Sequence, residues 1–418
     1  MRDGRARRGL SRGLPVPAPS PIIIAGAGIG GLTAALAVAR AGYRVMVLEQ
    51  AERIEEIGAG IQMTPNATAV LTDLGQHDRL RPVSIAPDEI CIRDARSGEA
   101  LSHVPLGEHV ARRYGAPYWI AHRHDLVSVL RDAAMANAAI TVVNGWRLDN
   151  FSADAAGVTV RDAGGRTETG IALIGADGLW SAVRGVLGHA ERPRFRHRLA
   201  WRALVPLDAV PPALRDRHIH LWLGPQAHLV HYPVKAGAFI NIVAVTQSAH
   251  GESGWSRDGT TADLLAQFPA RAWAASARDL LAAASDWQTT GWQTWALYDR
   301  PPQERWGSGA VTLLGDAVHP MVPFLAQGAG MAIEDAAVLG VCLQQNSDLP
   351  AALRRYENLR RARTGRVQNA AARNGTFYHV GGIPAAIRNT IMRLRGGDGM
   401  LAHYDWLYGW RCDGPASP

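Results

Sequence analysis

Three strings carry glycines and acids whose order could hold a nucleotide. In Gly26-x-Gly28-x-x-Gly31 the glycines follow an apolar run at 22–25 and open a helical pattern. Residues without a Cβ permit a tight turn, let a pyrophosphate approach backbone N–H groups, and let helix and strand pack closely. The helix N-terminus then stabilises the phosphate charge. Glu49, eighteen residues past Gly31, ends the next strand, where an acid can accept from the hydroxyls of an adenosine ribose. Two more strand ends finish in glycine and acid: Ala176-Asp177-Gly178, followed by Ser181 and Arg184, and Gly315-Asp316. One such turn is ordinary. Three together suit a long dinucleotide crossing the carboxyl edge of a sheet.

A different chemistry is written at His228 and Tyr232. They sit four apart on a strand pattern with Val230 between them, so both face one side of a sheet. A histidine in a water-poor pocket can take a proton from a phenol near neutral pH, and a tyrosine hydroxyl can position a ring. The same pair could instead pack as satisfied polar core. Gln62 is a second pocket candidate. His218 and His220 also share a strand face, but the sequence supplies no third ligand, and no metal is expected. Trp201-Arg202 and Trp292/Trp295 read as aromatic core beside a pocket, and Glu334-Asp335 as favourable charges in the first turns of a helix.

These residues need elements to hold them. Residues 22–25, a helix at 32–41 and a strand at 43–48 make a βαβ unit. A glycine-rich loop and helix follow at 58–75, a helix at 125–139, a strand at 141–144 and short strands over 146–174. From 197 to 250 the pattern changes to alternating strands separated by Gly-Pro and Lys-Ala-Gly turns. Residues 262–283 read as one Ala-rich helix, 311–314 as a buried strand, and 330–344 and 351–373 as helices. The architecture is α/β: a Rossmann-like nucleotide-binding domain (21–85, 118–190 and 296–350) is interrupted by a mostly antiparallel substrate domain (86–117 and 191–295). A C-terminal helical segment spans 351–418, and 1–20 reads as a disordered Arg/Pro-rich tail.

Charge and composition narrow the class. With 418 residues, 47% of them hydrophobic, the chain can bury a large core. The net charge of +7 suggests a polyanionic partner until it is divided along the chain. Residues 1–20 carry +4 and residues 353–395 carry +9, whereas 21–352 hold 28 basic and 32 acidic side chains. The arginines of 353–373, interspersed with Leu and Ala, read as a solvated helix face or subunit contact rather than a nucleic-acid surface. Three scattered cysteines (Cys91, Cys342, Cys412) argue against a disulfide framework and for a reducing, cytoplasmic setting. No run is apolar enough for a membrane span.

GAGIGG, GADG and GDAVHP, in that order and spacing, resemble the flavoprotein aromatic hydroxylase family of p-hydroxybenzoate hydroxylase, over nearly all of 21–411. The strings GAGIQMTPN, RYGAPYWIAHRHDL, GPQAHLVHYP, GDAVHPMVPFLAQGAGMAIEDA and DWLYGW are closer to its salicylate hydroxylase and 3-hydroxybenzoate 6-hydroxylase branch. The resemblance implies FAD as cofactor, held by Gly26, Gly28, Gly31, Glu49, Arg123, Asp177 and Asp316. The helix N-terminus near Gly328 would lie against the flavin's pyrimidine edge, under a loop stiffened by Pro320 and Pro323. It implies a monooxygenase of aromatic compound catabolism that uses NADH or NADPH and dioxygen, through a flavin hydroperoxide, to hydroxylate a phenolic or hydroxybenzoate-like acid. His228 would be the base and Tyr232 the positioning hydroxyl, with Gln62 and Pro323 in the substrate pocket. A reductase or dehydrogenase on the same fold, and a tailoring monooxygenase for a larger aromatic, are the alternatives. The partners expected are small molecules, with neither nucleic acid nor membrane; a homodimer is compatible with the reading.

Overall fold

A computed structural model describes residues 20–53, 59–189, 191–249, 251, 257–285 and 291–412. The expected tail, Ser20 excepted, lies outside the described residues. The first apolar run forms the strand Ile22–Ala25, whose isoleucines are wholly buried. It is the centre of a five-stranded parallel sheet in the order Val311–Leu313, Ala172–Gly175, Ile22–Ala25, Val45–Leu48, Ile140–Val143. Helices Ile29–Arg40, Arg123–Met135 and Gly328–Gln345 cover it. Burial on both faces is why these strands are continuous apolar runs rather than alternating ones.

The second sheet has eight strands in the order Arg257–Gly259, Trp292–Asp299, Arg194–Pro206, Phe239–Gln247, Ala227–Val234, Ile219–Gly224, Glu89–Asp94, Ala100–Pro105. All its neighbours are antiparallel except Ile219–Gly224 with Glu89–Asp94. Trp292–Asp299 belongs to this sheet whole, so the sheet runs past the expected boundary at 295. In a small three-stranded sheet Gly60–Met63 and Ser84–Ile85 flank Trp119–His122, and it contacts Ala227–Val234 of the eight-stranded sheet. Among the described residues no helix is long and apolar enough to cross a membrane.

Three expectations need correction. The helix read over 262–283 is two, Thr261–Ala266 and Ala275–Ala282, because Pro269 lies between them and cannot donate to a continuing helix. The arginine-rich helix is longer, Leu349–Tyr378, started by Asp348, whose side chain accepts from the Ala351 N–H at 3.2 Å. It is not a merely solvated face. Arg360 is 1% exposed and sits among Glu334 and Asp335, which are fully buried. Arg360 Nη1 is 2.7 Å from Glu334, its Nε donates to Asp335 at 2.7 Å, and Arg363 donates to both oxygens of Glu334 at 2.6 and 2.7 Å. Glu334 and Asp335 therefore bolt the last two core helices together, and favourable placement near a helix N-terminus is incidental to that.

Candidate active site

At the carboxyl edge of the parallel sheet, the glycines do what their spacing suggests. A Cβ on Gly31 would lie 1.9 Å from the Gly26 carbonyl oxygen, so only glycine lets this helix meet this turn. Gly28 is different. Its φ of −74° suits any residue, and a Cβ there would meet nothing within 4 Å. It is also the N-cap of Ile29–Arg40 and offers no side chain to the first N–H groups. Open space in front of an uncapped helix N-terminus is a cradle for a pyrophosphate. Glu49 faces the same turn: one carboxylate oxygen accepts from the Ala27 N–H at 2.7 Å, the other from the Ala51 N–H at 2.9 Å. Asp177 acts within its own loop, accepting from Ser181 Oγ at 2.5 Å and the Val183 N–H at 3.1 Å. That loop abuts the glycine turn through Ala176.

Arg123 is the first residue of its helix and is exposed to the cleft. Asp316 is reachable from the same cleft, yet enough protein surrounds it that burial pushes its carboxyl above the ordinary range, against the pull of His319 and Arg123. No hydrogen bond from a described residue reaches this carboxylate, which leaves it free for a polyol such as a ribityl chain. It lies beside Gly328, where the long helix begins with no side-chain cap. The preceding turn holds Ala326 at φ +52°, a left-handed conformation that a non-glycine residue adopts at a cost of about 1 kcal/mol or more. It is kept by a polar latch. Asn66 Nδ2 donates to Gln327 at 3.1 Å and to Glu334 at 2.7 Å, and Gln327 Nε2 donates to Thr64 at 2.9 Å. These residues fit FAD: an open helix N-terminus for pyrophosphate, acids at the two sugar positions, and a second helix N-terminus for a negatively charged ring.

Next to this cleft is a cavity of about 920 Å³ between the eight-stranded sheet and the C-terminal helices. Gln62, His228 and Pro323 all line it. His228 and Tyr232 lie on one strand, Ala227–Val234, and both are buried. Tyr232 stands behind Gln62, which is hydrogen-bonded to it, and its ring packs so closely on the strand Gly60–Met63 of the small sheet that a Cβ on Gly60 would lie 2.4 Å away. Burial raises the Tyr232 hydroxyl's pKa, with Arg202 and Gln62 opposing, so it stays protonated as a donor. His228 is held well below the usual imidazole range by burial first, then by His379 and Arg198. Its Nδ1 meets His379, and no hydrogen bond from a described residue engages its Nε2.

Sequence reasoning missed several neighbours. Tyr118 donates to Gln62 at 2.6 Å and lines the cavity; it lies within the family string RYGAPYWIAHRHDL, the only signal that could have flagged it. Arg202 was not missed but read as core beside a pocket; it shares the sheet face of Val230 and Tyr232 across the strand register, stacks on Trp295 at 5.1 Å, and keeps its Nε without a partner among the described residues. His379 comes from the end of Leu349–Tyr378 to meet His228 at 2.7 Å. The fold also gives His218 and His220 a third potential ligand, Asp216, but both ring nitrogens of His220 are already engaged, by Asp216 and by Arg93.

The cradle makes a prediction. A Cβ at Gly28 meets nothing within 4 Å and its φ is ordinary, so the protein should accommodate Gly28→Val, whose side chain would fill the space expected for a pyrophosphate. FAD affinity should fall by about 3 kcal/mol, roughly a hundredfold in Kd, while the apoprotein keeps its circular dichroism and melting behaviour. Retention of FAD by the purified variant at the wild-type level would refute the placement.

Comparison with known proteins points to the same cofactor. The family model described as FAD binding domain matches residues 20–371. The 3-hydroxybenzoate 6-hydroxylase of Polaromonas naphthalenivorans is 38% identical over 396 residues, covering 94% of this chain and 97% of that one. A 3-amino-4-hydroxybenzoate 2-monooxygenase of Streptomyces platensis is 35% identical over 396 residues, covering 93% and 96%. Among solved structures, Klebsiella pneumoniae HpxO, complexed with FAD and uric acid, is similar with a TM-score of 0.83 at 29% identity, covering 93% of this chain and 96% of that one.

Proposed function

This chain belongs to the FAD binding domain family, and from that premise and its cavity we infer that it hydroxylates a hydroxybenzoate-like aromatic acid. It is an FAD-dependent aromatic-ring monooxygenase, with NADH or NADPH as reductant. Bound FAD supplies the activation of dioxygen; the side chains of this chain supply the rest. The observation that carries the reading is His228, which lines a largely apolar cavity and whose Nε2 has no hydrogen-bond partner among the described residues.

An electrophilic oxygen donor attacks a ring fastest when the ring's hydroxyl is ionised. His228 is placed to accept that proton through Nε2 and to hold the phenolate afterwards as a donor. Tyr232 and Tyr118, joined through Gln62, form a polar edge that orients the ring. Arg202, a half-buried cation on the same sheet face, supplies positive potential for an acidic substrate. Pro323 and its neighbours Phe324 and Leu325 close the cavity on the cofactor side and exclude water. A cavity of about 920 Å³ also has room beyond a single ring, which supports a larger aromatic acid as the second reading.

The test is to purify the protein with its flavin and screen mono- and dihydroxybenzoates, 3-hydroxybenzoate among them, for stimulated NADH and NADPH oxidation. Hydroxylated product and hydrogen peroxide are measured together. A hydroxylated product formed in proportion to the reductant consumed is expected. Oxygen-independent turnover without hydroxylation would overturn the reading in favour of a reductase. Turnover only with multi-ring acids would favour the second.

A further inference from the structure

We propose that Glu89, Cys91, His103 and His218 bind one divalent metal ion of zinc's class, on the reverse face of the strands that wall the substrate cavity. The proposal does not depend on which aromatic acid the enzyme takes.

The strands Glu89–Asp94, Ala100–Pro105 and Ile219–Gly224 have two unlike faces. Ile90, Ile92, Val104, Ile219 and Leu221 line the cavity. The alternate residues point the other way, and there the register sets ligand chemistry side by side. Cys91 lies between His103 on one neighbouring strand and His220 on the other. Glu89 is two residues before Cys91, and His218 two before His220. Sequence alone offers His218 and His220 without a third ligand. Pairing of strands distant in the chain brings Glu89, Cys91 and His103 beside them.

The spacing suits a shared ion. Glu89 Oε1 is 2.6 Å from His103 Nδ1 and 3.4 Å from His218 Nδ1, so one carboxylate oxygen bridges imidazoles from two strands. Ligand atoms of Glu89, Cys91 and His103 lie within 4.8 Å of one another. A tetrahedral zinc sets such atoms about 3.3–3.7 Å apart, so the set is near that spacing before any ion binds. Cys91 is 1% exposed, and its thiol has no hydrogen-bond partner among the described residues. Burial raises this thiol to about 11, so it stays S–H until a metal displaces the proton, as happens when a thiol coordinates. Glu89 and His218 are half-buried and His103 is exposed, which gives an ion a way in from solvent. Asp216 Oδ2, 3.4 Å from His218 Nδ1, adds negative potential. Arg93, the cation on this face, is turned aside to His220 Nδ1 at 3.1 Å and the Gly98 carbonyl at 2.9 Å. His220 stays outside the set, because Arg93 and Asp216 hold both its ring nitrogens. Two imidazoles, a thiolate and one carboxylate select zinc's class over calcium or magnesium, which take oxygen shells.

The task of such an ion is structural. Glu89–Asp94 with Ile219–Gly224 is the parallel junction of an otherwise antiparallel sheet, and parallel pairing is the weaker kind. It opens on a long bond, from the Asp88 N–H to the Arg217 carbonyl at 3.3 Å. An ion held by Glu89 and Cys91 on one strand, His103 on the next and His218 at the start of the third pins all three. The cavity wall on their other face is pinned with them.

The holoenzyme, stripped with a chelator and dialysed, is titrated with Zn²⁺ and separately with Co²⁺. One zinc per chain with a Kd of about 10 μM or tighter is expected. Co²⁺ should give a thiolate-to-cobalt charge-transfer band in the difference spectrum against cobalt-free holoenzyme. Cys91→Ala should lose that band, and His103→Gln should weaken zinc binding by about tenfold or more. Zinc at a hundredfold above Kd should raise the wild-type melting temperature by about 3 °C and that of Cys91→Ala by less than about 1 °C. Binding weaker than about 10 μM, absence of the thiolate band, or equal zinc affinity in wild type and His103→Gln would overturn the site. If Cys91→Ala does not fold, His103→Gln, changed at an exposed position, still decides between this site and ions held by other histidines.

Discussion

Asp335→Ala should lower the unfolding free energy of the holoenzyme by about 3–5 kcal/mol, the usual cost of breaking a buried ion pair from one side. Asp335 accepts from Arg360 Nε at 2.7 Å, and its other oxygen meets His319 Nε2 at 2.6 Å and the Gly315 N–H at 3.0 Å. Removing it leaves a buried guanidinium sharing Glu334 with Arg363, and leaves the Gly315 N–H unpaired under the loop that carries Asp316. The same variant should therefore release FAD earlier than it unfolds, read as flavin fluorescence during denaturation. The double variant Arg360→Met/Asp335→Leu should cost less than the sum of its parts, since it removes both charges together. A loss below about 1 kcal/mol in Asp335→Ala would show that the cluster is not what joins the helices.

The pH dependence of that difference has a definite sign. Burial raises the Asp335 carboxyl, but His319 and Arg360 outweigh it and hold the group below its ordinary value. The folded state therefore binds this proton less readily than the unfolded chain. The stabilisation is complete above the unfolded pKa of about 3.9 and is lost as pH falls through the folded one. The gap between wild type and Asp335→Ala should stay level from neutrality to about pH 5 and narrow below about pH 4.

What could be read in the sequence was what depends on neighbours along the chain. The glycine turn, its helix and Glu49 lie within 24 residues, and their meaning follows from local geometry. His228 and Tyr232 were paired by the two-residue period of a strand, which assigns a face without any knowledge of the sheet's partners. The latch of Asn66 to Gln327 spans 261 residues and leaves no periodic trace. Arg360 misled because a helix rich in arginine looks solvated; only the neighbouring helix reveals that Glu334 and Asp335 are waiting for it. His379 was invisible for the same reason. It follows the last residue of a long helix, and only the fold brings it to the sheet.

That distinction bears on the largest catalytic effect expected. His228→Ala should reduce coupled hydroxylation by about 10²–10⁴-fold, the range for a lost general base, while flavin reduction by NADH stays within roughly threefold. The asymmetry follows from place. His228 lines the cavity beside Gln62, whereas the pyrophosphate cradle at Gly28 and the Asp316–Gly328 corner belong to the parallel sheet and contain no part of it. Reductant consumed without hydroxylation must appear as hydrogen peroxide, so the ratio of peroxide to product should rise sharply in the variant. Alkaline pH supplies the control. As pH nears the phenol's pKa of about 10 the substrate ionises unaided, and the deficit should shrink. A deficit that stays constant with pH would mean that His228 shapes the cavity rather than moving a proton. Unchanged coupled turnover at neutral pH would remove it from the mechanism, and the buried pair with His379 would then be no more than a polar joint between sheet and helix.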